Sequence, residues 1–122
     1  MVETIEVIEI DTREKALVMA RAALEKKAER LLVYDIREIT SIADYFIICS
    51  GNTSRQANAI ADEIDYTLSK QGVYPHHVEG MPECKWVLMD YGDVVVHVFD
   101  AETRDFYDLE GLWGFAPAVE VA

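Results

Sequence analysis

The stretch Trp86–Phe99, WVLMDYGDVVVHVF, decides the fold of this chain. Two apolar runs flank Tyr91-Gly92-Asp93, and glycine and aspartate favour the backbone conformations that a tight hairpin turn requires. The pattern therefore predicts two antiparallel β-strands joined by a two-residue loop.

The two faces of this predicted hairpin differ in chemistry. Side chains alternate along a strand, so each face collects every second residue of both strands. One face is almost wholly aliphatic and is expected to be core: Val87, Met89, Tyr91, Val94, Val96 and Val98. The other face collects Trp86, Asp90, His97 and Phe99, an aromatic, charged and titratable mixture that a core does not need. This mixed face is the best indication of a functional surface.

The length and charge of the chain limit the possible functions. With 122 residues the chain is long enough for one domain with a real core. It has 11 basic and 23 acidic residues, a net charge of -12, which repels nucleic acid and anionic lipid. The charge suits a basic protein partner, and solubility would explain it equally well.

The cysteines and the hydropathy pattern indicate the cellular context. Cys49 and Cys84 lie far apart without a CxxC motif, and Cys49 falls in an apolar segment expected to be core. We find no signal peptide and no apolar run long enough to cross a bilayer. The expected location is the cytoplasm.

The remaining elements follow from apolar spacing and helix caps. Asp11 and Glu14 have the capping-box spacing, as do Thr53 and Gln56, and Asp100 can cap a last helix. The predicted helices are residues 12–29, 54–71 and 102–111. The other predicted strands are 31–36, 44–50 and a possible short strand at 76–80, which Pro75 and Pro82 confine to an edge or an end of the sheet.

Each predicted helix has an apolar stripe. The first carries Leu17, Ala20, Leu24 and Ala28; the second carries Ala57, Ile60, Ala61, Ile64 and Leu68 and ends at Gly72; the last carries Phe106, Leu109 and Leu112, after which Trp113 and Phe115 close the fold. The core spans about residues 12–113, with tails at 1–10 and 116–122.

These elements predict the fold class. The hairpin is antiparallel, and the link between the first two strands is too short for a parallel crossover. We expect a single α/β domain with a mixed sheet of about five strands and helices packed against it. The order of the strands cannot be deduced from the sequence.

Motifs for catalysis and metal binding are weak. The turn Ser50–Ser54 could hold an anion at a helix N-terminus, but it lacks the phosphate-loop lysine and glycines, and an ordinary cap is favoured. Asp90, Asp93 and Glu79 do not form the carboxylate pair that holds Mg²⁺ in a nucleotidyltransferase. The spacing of the zinc candidates His76, His77, Cys84 and His97 fits no known ligand frame. No catalytic, cofactor-binding or metal-binding residue is predicted.

Trp86 has two possible roles. A tryptophan next to a charge on a mixed face can anchor a partner protein. Equally, a helix of the same chain could cover this face and leave Trp86 as a packing residue. The pattern alone does not decide between them.

Six short segments occur in a characteristic order along most of the chain. They are DYFIICSG (Asp44–Gly51), SRQ (Ser54–Gln56), IAD (Ile60–Asp62), VEG (Val78–Gly80), WVLMDYGDVVVHVF (Trp86–Phe99) and YDLEGLW (Tyr107–Trp113). Together they resemble the ribosomal silencing factor family, also called the Iojap family, over about residues 17–113.

The resemblance implies a bacterial or organellar factor that binds the large ribosomal subunit through the ribosomal protein numbered fourteen. Such a factor blocks joining of the small subunit and lowers translation when nutrients are scarce. It also implies a fold similar to a nucleotidyltransferase core without the catalytic carboxylates, homodimers when free, and no cofactor. Carried over by position, the candidate partner-binding residues are Trp86, Asp90, Tyr107, Leu109 and Trp113.

Two other functions stay open at this point. One is a nucleotide-binding or nucleotidyltransferase-like enzyme that uses the Ser50–Ser54 turn with Asp90 or Asp93. The other is a dimeric scaffold that associates through the Trp86 face.

Overall fold

The computed structural model describes residues 11–114 and 116–121 of the chain. In this part the element order is α1 (Thr12–Glu25), β1 (Glu29–Asp35), β2 (Tyr45–Gly51), α2 (Ser54–Ser69), β3 (His77–Glu79), β4 (Trp86–Asp90), β5 (Val94–Asp100), α3 (Ala101–Tyr107) and α4 (Leu109–Trp113). Residues 1–10 and Phe115, for which we predicted a tail and a closing contact, lie outside the described residues.

The five strands form one mixed sheet in the order β1-β2-β5-β4-β3. Only the β2–β5 pair is parallel; β1–β2, β3–β4 and β4–β5 are antiparallel. The predicted fold class is therefore confirmed. The short strand His76–Gly80 was predicted at an edge or an end, and β3 is an edge strand of three residues.

The central hairpin has the predicted register. Trp86 pairs with Phe99 and Asp90 with Val95, and the Tyr91 amide donates to the Val94 carbonyl at 2.9 Å across the turn. The loop is thus Gly92-Asp93, with Gly92 at φ 87°. All six residues predicted for the aliphatic face are buried in the main core.

Helices α1 and α2 cover this aliphatic face. The predicted stripe of α2, Ala57, Ile60, Ala61, Ile64 and Leu68, is buried in full. The predicted stripe of α1 is wrong in part: Ala20 and Ala28 are buried as predicted, but Leu24 is exposed and Leu17 only half-buried. The helix also buries Ala16, Met19, Ala22 and Ala23. Alanines on both helices allow close approach, so the short side chains of α1, rather than its leucines, face the core.

Helix α1 is shorter than predicted. It ends at Glu25 instead of Glu29, and Lys27 then adopts φ 61° while the Ala28 amide donates to the Ala23 carbonyl. The side-chain amide of Gln56 donates to the carbonyls of Lys26 and Lys27. The turn after α1 is thus fixed by a residue of α2, a contact between segments distant in sequence.

The last predicted helix is two helices. Asp100 caps α3 as predicted, but Asp108 adopts φ 47° and separates α3 from α4. Because of this break the expected stripe does not form: Phe106 and Leu112 are 80% and 66% exposed, and only Leu109 turns partly inward. The prediction that Phe106 and Leu112 point into the core is therefore wrong.

Residues 116–121 are not a loose tail. The Asp35 amide donates to the Pro117 carbonyl, the Val119 amide donates to the Val33 carbonyl, and Tyr34 forms a β-bridge with Ala118. This segment occupies the outer edge of β1, where unpaired backbone groups would otherwise meet solvent. The segment follows α4 in sequence and lies along β1, the edge of the sheet opposite to β3.

Candidate functional site

The face of the sheet opposite α1 and α2 carries a second apolar cluster. Its buried members are Tyr34, Ile36, Ala43, Phe46, Ile48, Val95, Phe99 and Ala116, and Leu32, Trp86, Leu88, Leu109 and Trp113 are half-buried against it. The mixed face of the hairpin is therefore largely covered by the C-terminal part of the chain. The interpretation of the mixed face as a functional surface is therefore wrong for Phe99 and His97, which are buried.

Trp86 lies at the border of this cluster and is half-buried. Its indole stacks on Phe99, with ring centroids 5.0 Å apart, and contacts Tyr107 of α3 at 4.8 Å. Its Nε1–H donates to Nδ1 of His97 at 3.1 Å. Trp86 is thus packed against its own chain and remains partly accessible, and its role as a partner anchor stays a prediction.

An open groove of about 420 Å³ runs beside Trp86. Its walls include Phe106 and Tyr107, which are 80% and 53% exposed. Gly80 lies at the groove with φ 88°, and a Cβ atom at this position would collide with the Trp86 carbonyl, so the turn before β4 depends on glycine. The groove thus has an aromatic wall, and beside it the backbone at Gly80 packs closely against the backbone of Trp86.

Carboxylates lie beside the aromatic side chains. Glu83 and Glu102 line the groove together with one basic residue, Lys85, and Glu79 lines an adjoining hollow of about 270 Å³ that also includes Trp86 and Leu88. We call the set Trp86, Phe106, Tyr107, Glu79, Glu83 and Glu102 the Trp86 surface. It combines exposed aromatic area with negative charge.

A buried ion pair holds α3 and α4 in place. Arg104 of α3 is 1% exposed, and its Nε and Nη2 donate to Oε2 of Glu110 in α4 at 3.0 and 2.8 Å. Its Nη1 donates to Ser50 Oγ and to the Glu29 carbonyl, so α3 is tied to the ends of β1 and β2. Arg30 also contacts Glu110. Because Phe106 and Tyr107 lie two and three residues after Arg104 in α3, this network sets their position.

The charge state of Glu110 follows from these contacts. Burial alone would raise its pKa, but the hydrogen bonds and positive charge of Arg104 outweigh burial and hold the pKa below its ordinary value. Glu110 is therefore ionised at neutral pH and pairs with Arg104 as a carboxylate.

The five residues predicted for partner binding do not form one group. Trp86 and Tyr107 are in contact, as described above. Leu109 and Trp113 are half-buried in the second cluster, where Trp113 packs edge-on against Phe46 at 4.9 Å. Asp90 lies at the other end of β4, ~13 Å from Trp86 along the strand, and its Oδ1 accepts from the Gly92 amide in the hairpin turn.

Sequence reasoning missed two features of this surface. Phe106 is its most exposed aromatic side chain, although helical spacing assigned it to the core. Arg104 was not singled out, because arginine is rarely buried and its partner Glu110 lies six residues away, beyond ordinary helical pair spacing. The YDLEGLW motif contains Glu110, the partner of Arg104, and was the one signal in the sequence that could have indicated this ion pair.

The residues considered for nucleotide chemistry have structural partners. Thr53 Oγ1 accepts from the Gln56 amide, and Gln56 Oε1 accepts from the Asn52 amide, so the turn before α2 is capped by its own side chains. Asp93 forms an ion pair with Lys15 at 2.7 Å. Within the described part of the chain, no three His, Cys, Asp or Glu side chains come together as a metal site.

Among the described residues, no helix has the length and apolar content to cross a bilayer.

These features define the class of protein: a small α/β domain whose mixed sheet carries an exposed aromatic and acidic surface at one end. The family model described as ribosomal silencing factor during starvation matches residues 9–122. The chain belongs to this ribosomal silencing factor family, as the sequence motifs predicted.

Individual relatives agree with this assignment. The chain is 42% identical to the ribosomal silencing factor RsfS of Halalkalibacterium halodurans, over 92% of this chain and 96% of the relative. It is 45% identical to RsfS of Bacillus subtilis, over 85% and 88% of the two chains. A crystal structure of a protein from Chromobacterium violaceum superposes with a TM-score of 0.84 at 34% identity, covering 93% of this chain and 97% of that one.

Proposed function

We propose that this protein is a translational repressor that binds the large ribosomal subunit and sterically blocks joining of the small subunit. The contact on the ribosome is the basic ribosomal protein numbered fourteen, as the family resemblance implies. The observation that carries the proposal is the Trp86 surface, which offers aromatic anchors and carboxylates together.

The physical chemistry of this surface suits a basic protein. Exposed aromatic rings contribute large apolar area at an interface, and cationic side chains interact favourably with both carboxylates and ring faces. The net charge of -12 attracts a basic protein over a distance, while it repels ribosomal RNA and so limits binding elsewhere.

The proposed mechanism is occlusion. A bound domain at the subunit interface prevents assembly by its volume alone, so the activity needs no turnover and no cofactor, and the protein is not an enzyme. The protein acts in the cytoplasm as a single domain with its core at about residues 12–113. When free it forms a homodimer.

Sedimentation tests the proposal. The purified protein is mixed with isolated bacterial large or small subunits and centrifuged through sucrose, and we expect it to pellet with large subunits only. In a second measurement, light scattering follows subunit joining, and prior incubation of large subunits with the protein is expected to reduce the amplitude.

The surface is tested by substitution. Phe106→Ala and Tyr107→Ala are expected to reduce recovery with large subunits, whereas Tyr66→Ala, an exposed tyrosine of α2 (58% exposed), serves as the matched control. Equal recovery of all three variants would remove the Trp86 surface from the proposal. Undiminished subunit joining in the presence of bound protein would remove the occlusion mechanism.

A further inference from the structure

His97 is a polar residue in an otherwise apolar strand. It lies in the middle of β5, whose other residues from Val94 to Phe99 are apolar, and it is 5% exposed. Its strand neighbours are Leu88 on one side and Ile48 on the other. If this position had only a packing role, valine would suffice, as it does at the neighbouring positions Val96 and Val98.

The tautomer of His97 follows from its partner. The indole N–H of Trp86 can only donate, so Nδ1 of His97 must be the unprotonated acceptor of this 3.1 Å bond. The proton of the neutral ring is then on Nε2. That atom is buried without a hydrogen-bond partner, an unfavourable arrangement for a buried polar group. The ring thus carries an unsatisfied N–H in order to present an acceptor to Trp86.

The groups around His97 keep it neutral. The aromatic rings near it are Phe46 of β2, Trp86 of β4 and Phe99 of β5, at centroid distances of 5.4, 6.0 and 6.4 Å. No charged group among the described residues contributes to its titration, and desolvation by burial lowers its pKa to about 4. His97 is therefore an acceptor for Trp86 throughout the neutral range.

We infer that His97 is a positioning residue for ribosome binding: its Nδ1 fixes the orientation in which Trp86 presents its ring at the groove. This inference rests on the proposed function. Stacking on Phe99 and contact with Tyr107 restrict the indole, but apolar contacts do not distinguish one ring flip from the other. The hydrogen bond to His97 makes that distinction, because only one edge of the indole carries a donor.

Two variants of the full-length protein test the role of His97. His97→Leu removes the acceptor and also the unpartnered Nε2–H, so the variant is expected to fold. His97→Asn places an amide oxygen near the position of Nδ1 and is expected to restore the bond in part. The first readout is NMR of the two indole N–H groups, with Trp113 as the internal reference because its N–H has no hydrogen bond to His97.

We expect faster hydrogen exchange of the Trp86 indole N–H in His97→Leu, partial recovery in His97→Asn, and no change for Trp113. The second readout is the Kd for isolated large subunits, which should rise roughly three- to tenfold in His97→Leu, the effect of one lost hydrogen bond, and recover in part in His97→Asn.

Unchanged exchange at Trp86 in His97→Leu would overturn the inference. So would changed exchange with an unchanged Kd, because the orientation would then not matter for binding. If the wild-type protein itself does not bind large subunits, the proposed function fails and the inference of a role in binding falls with it, while the NMR result still decides whether His97 orients Trp86.

Discussion

Arg104 and Glu110 form an ion pair across the break between α3 and α4, with Nη2 and Oε2 2.8 Å apart. Arg104 has no exposed side-chain area, whereas Glu110 retains 19% of its own. The backbone reverses into the left-handed region at Asp108, between the two partners. The ion pair therefore stabilises the break between α3 and α4, where a continuous helix and its backbone hydrogen bonds are interrupted.

Loss of this pair should destabilise the protein. In Arg104→Met the carboxylate of Glu110 loses its buried partner, and the expected decrease in the free energy of unfolding is about 3 kcal/mol, measured by urea denaturation. The control is Arg37→Met, which removes the exposed pair with Asp35 at 2.7 Å. Exposed pairs contribute little, so this variant should lose less than about 1 kcal/mol. Equal losses would show that burial of Arg104 has no special weight.

Phe106→Ala should separate binding from stability. Because Phe106 is 80% exposed, its removal is expected to change the free energy of unfolding by less than about 0.5 kcal/mol. If the side chain anchors the partner, the Kd for large subunits should rise by about tenfold or more. Tyr66→Ala should leave both quantities unchanged, and the same Kd for both variants would contradict the prediction.

Local patterns predicted the hairpin and α2 correctly. In both cases the signal lies within a few residues: alternation around Gly92 fixed the register, and the spacing from Ala57 to Leu68 fixed the buried stripe. The caps at Asp11, Thr53 and Asp100 are equally local and were confirmed. Such features depend on backbone geometry that neighbouring residues determine.

The errors arose where distant contacts override local preference. Residues 116–121 were predicted to be a tail, but the open edge of β1 provides hydrogen bonds for them. Phe106 has core-like spacing only if the helix continues past Asp108. The residue in the left-handed conformation there is Asp108 itself, not a glycine, so the sequence does not indicate the break. The burial of Arg104 depends on the ends of β1 and β2, about 54 to 75 positions away in sequence.

The acidic residues near Trp86 should act mainly on the rate of association. Glu83→Lys changes the charge at the groove, and steering of a basic partner is expected to weaken, so the association rate should fall several-fold with little change in dissociation. Glu25→Lys makes the same change in net charge at the exposed end of α1 and is the matched control. Surface plasmon resonance with immobilised large subunits measures both rates.

The result depends on salt. The difference between Glu83→Lys and wild type should shrink as ionic strength rises, because exposed charges are screened. Identical rates for Glu83→Lys and Glu25→Lys would mean that only net charge matters, and would contradict a specific contribution of the groove.

The pH dependence of stability should report the burial of His97. Its pKa in the folded protein is lowered to about 4 from an ordinary value of 6.5, because burial disfavours the charged ring. As pH falls through this window the unfolded chain gains a proton that the folded chain does not, so stability decreases with decreasing pH. Between about pH 7 and about pH 5, the titration of His97 should lower the free energy of unfolding by about 2 kcal/mol.

The variant His97→Leu lacks this contribution, while the carboxylates of both proteins titrate alike. Urea denaturation at several pH values measures the free energy of unfolding of both proteins. As the pH falls, this free energy should decrease more in wild type than in the variant. Parallel curves would show that His97 titrates in the folded protein as it does in the unfolded chain, and its ring could not then be the buried neutral acceptor for Trp86.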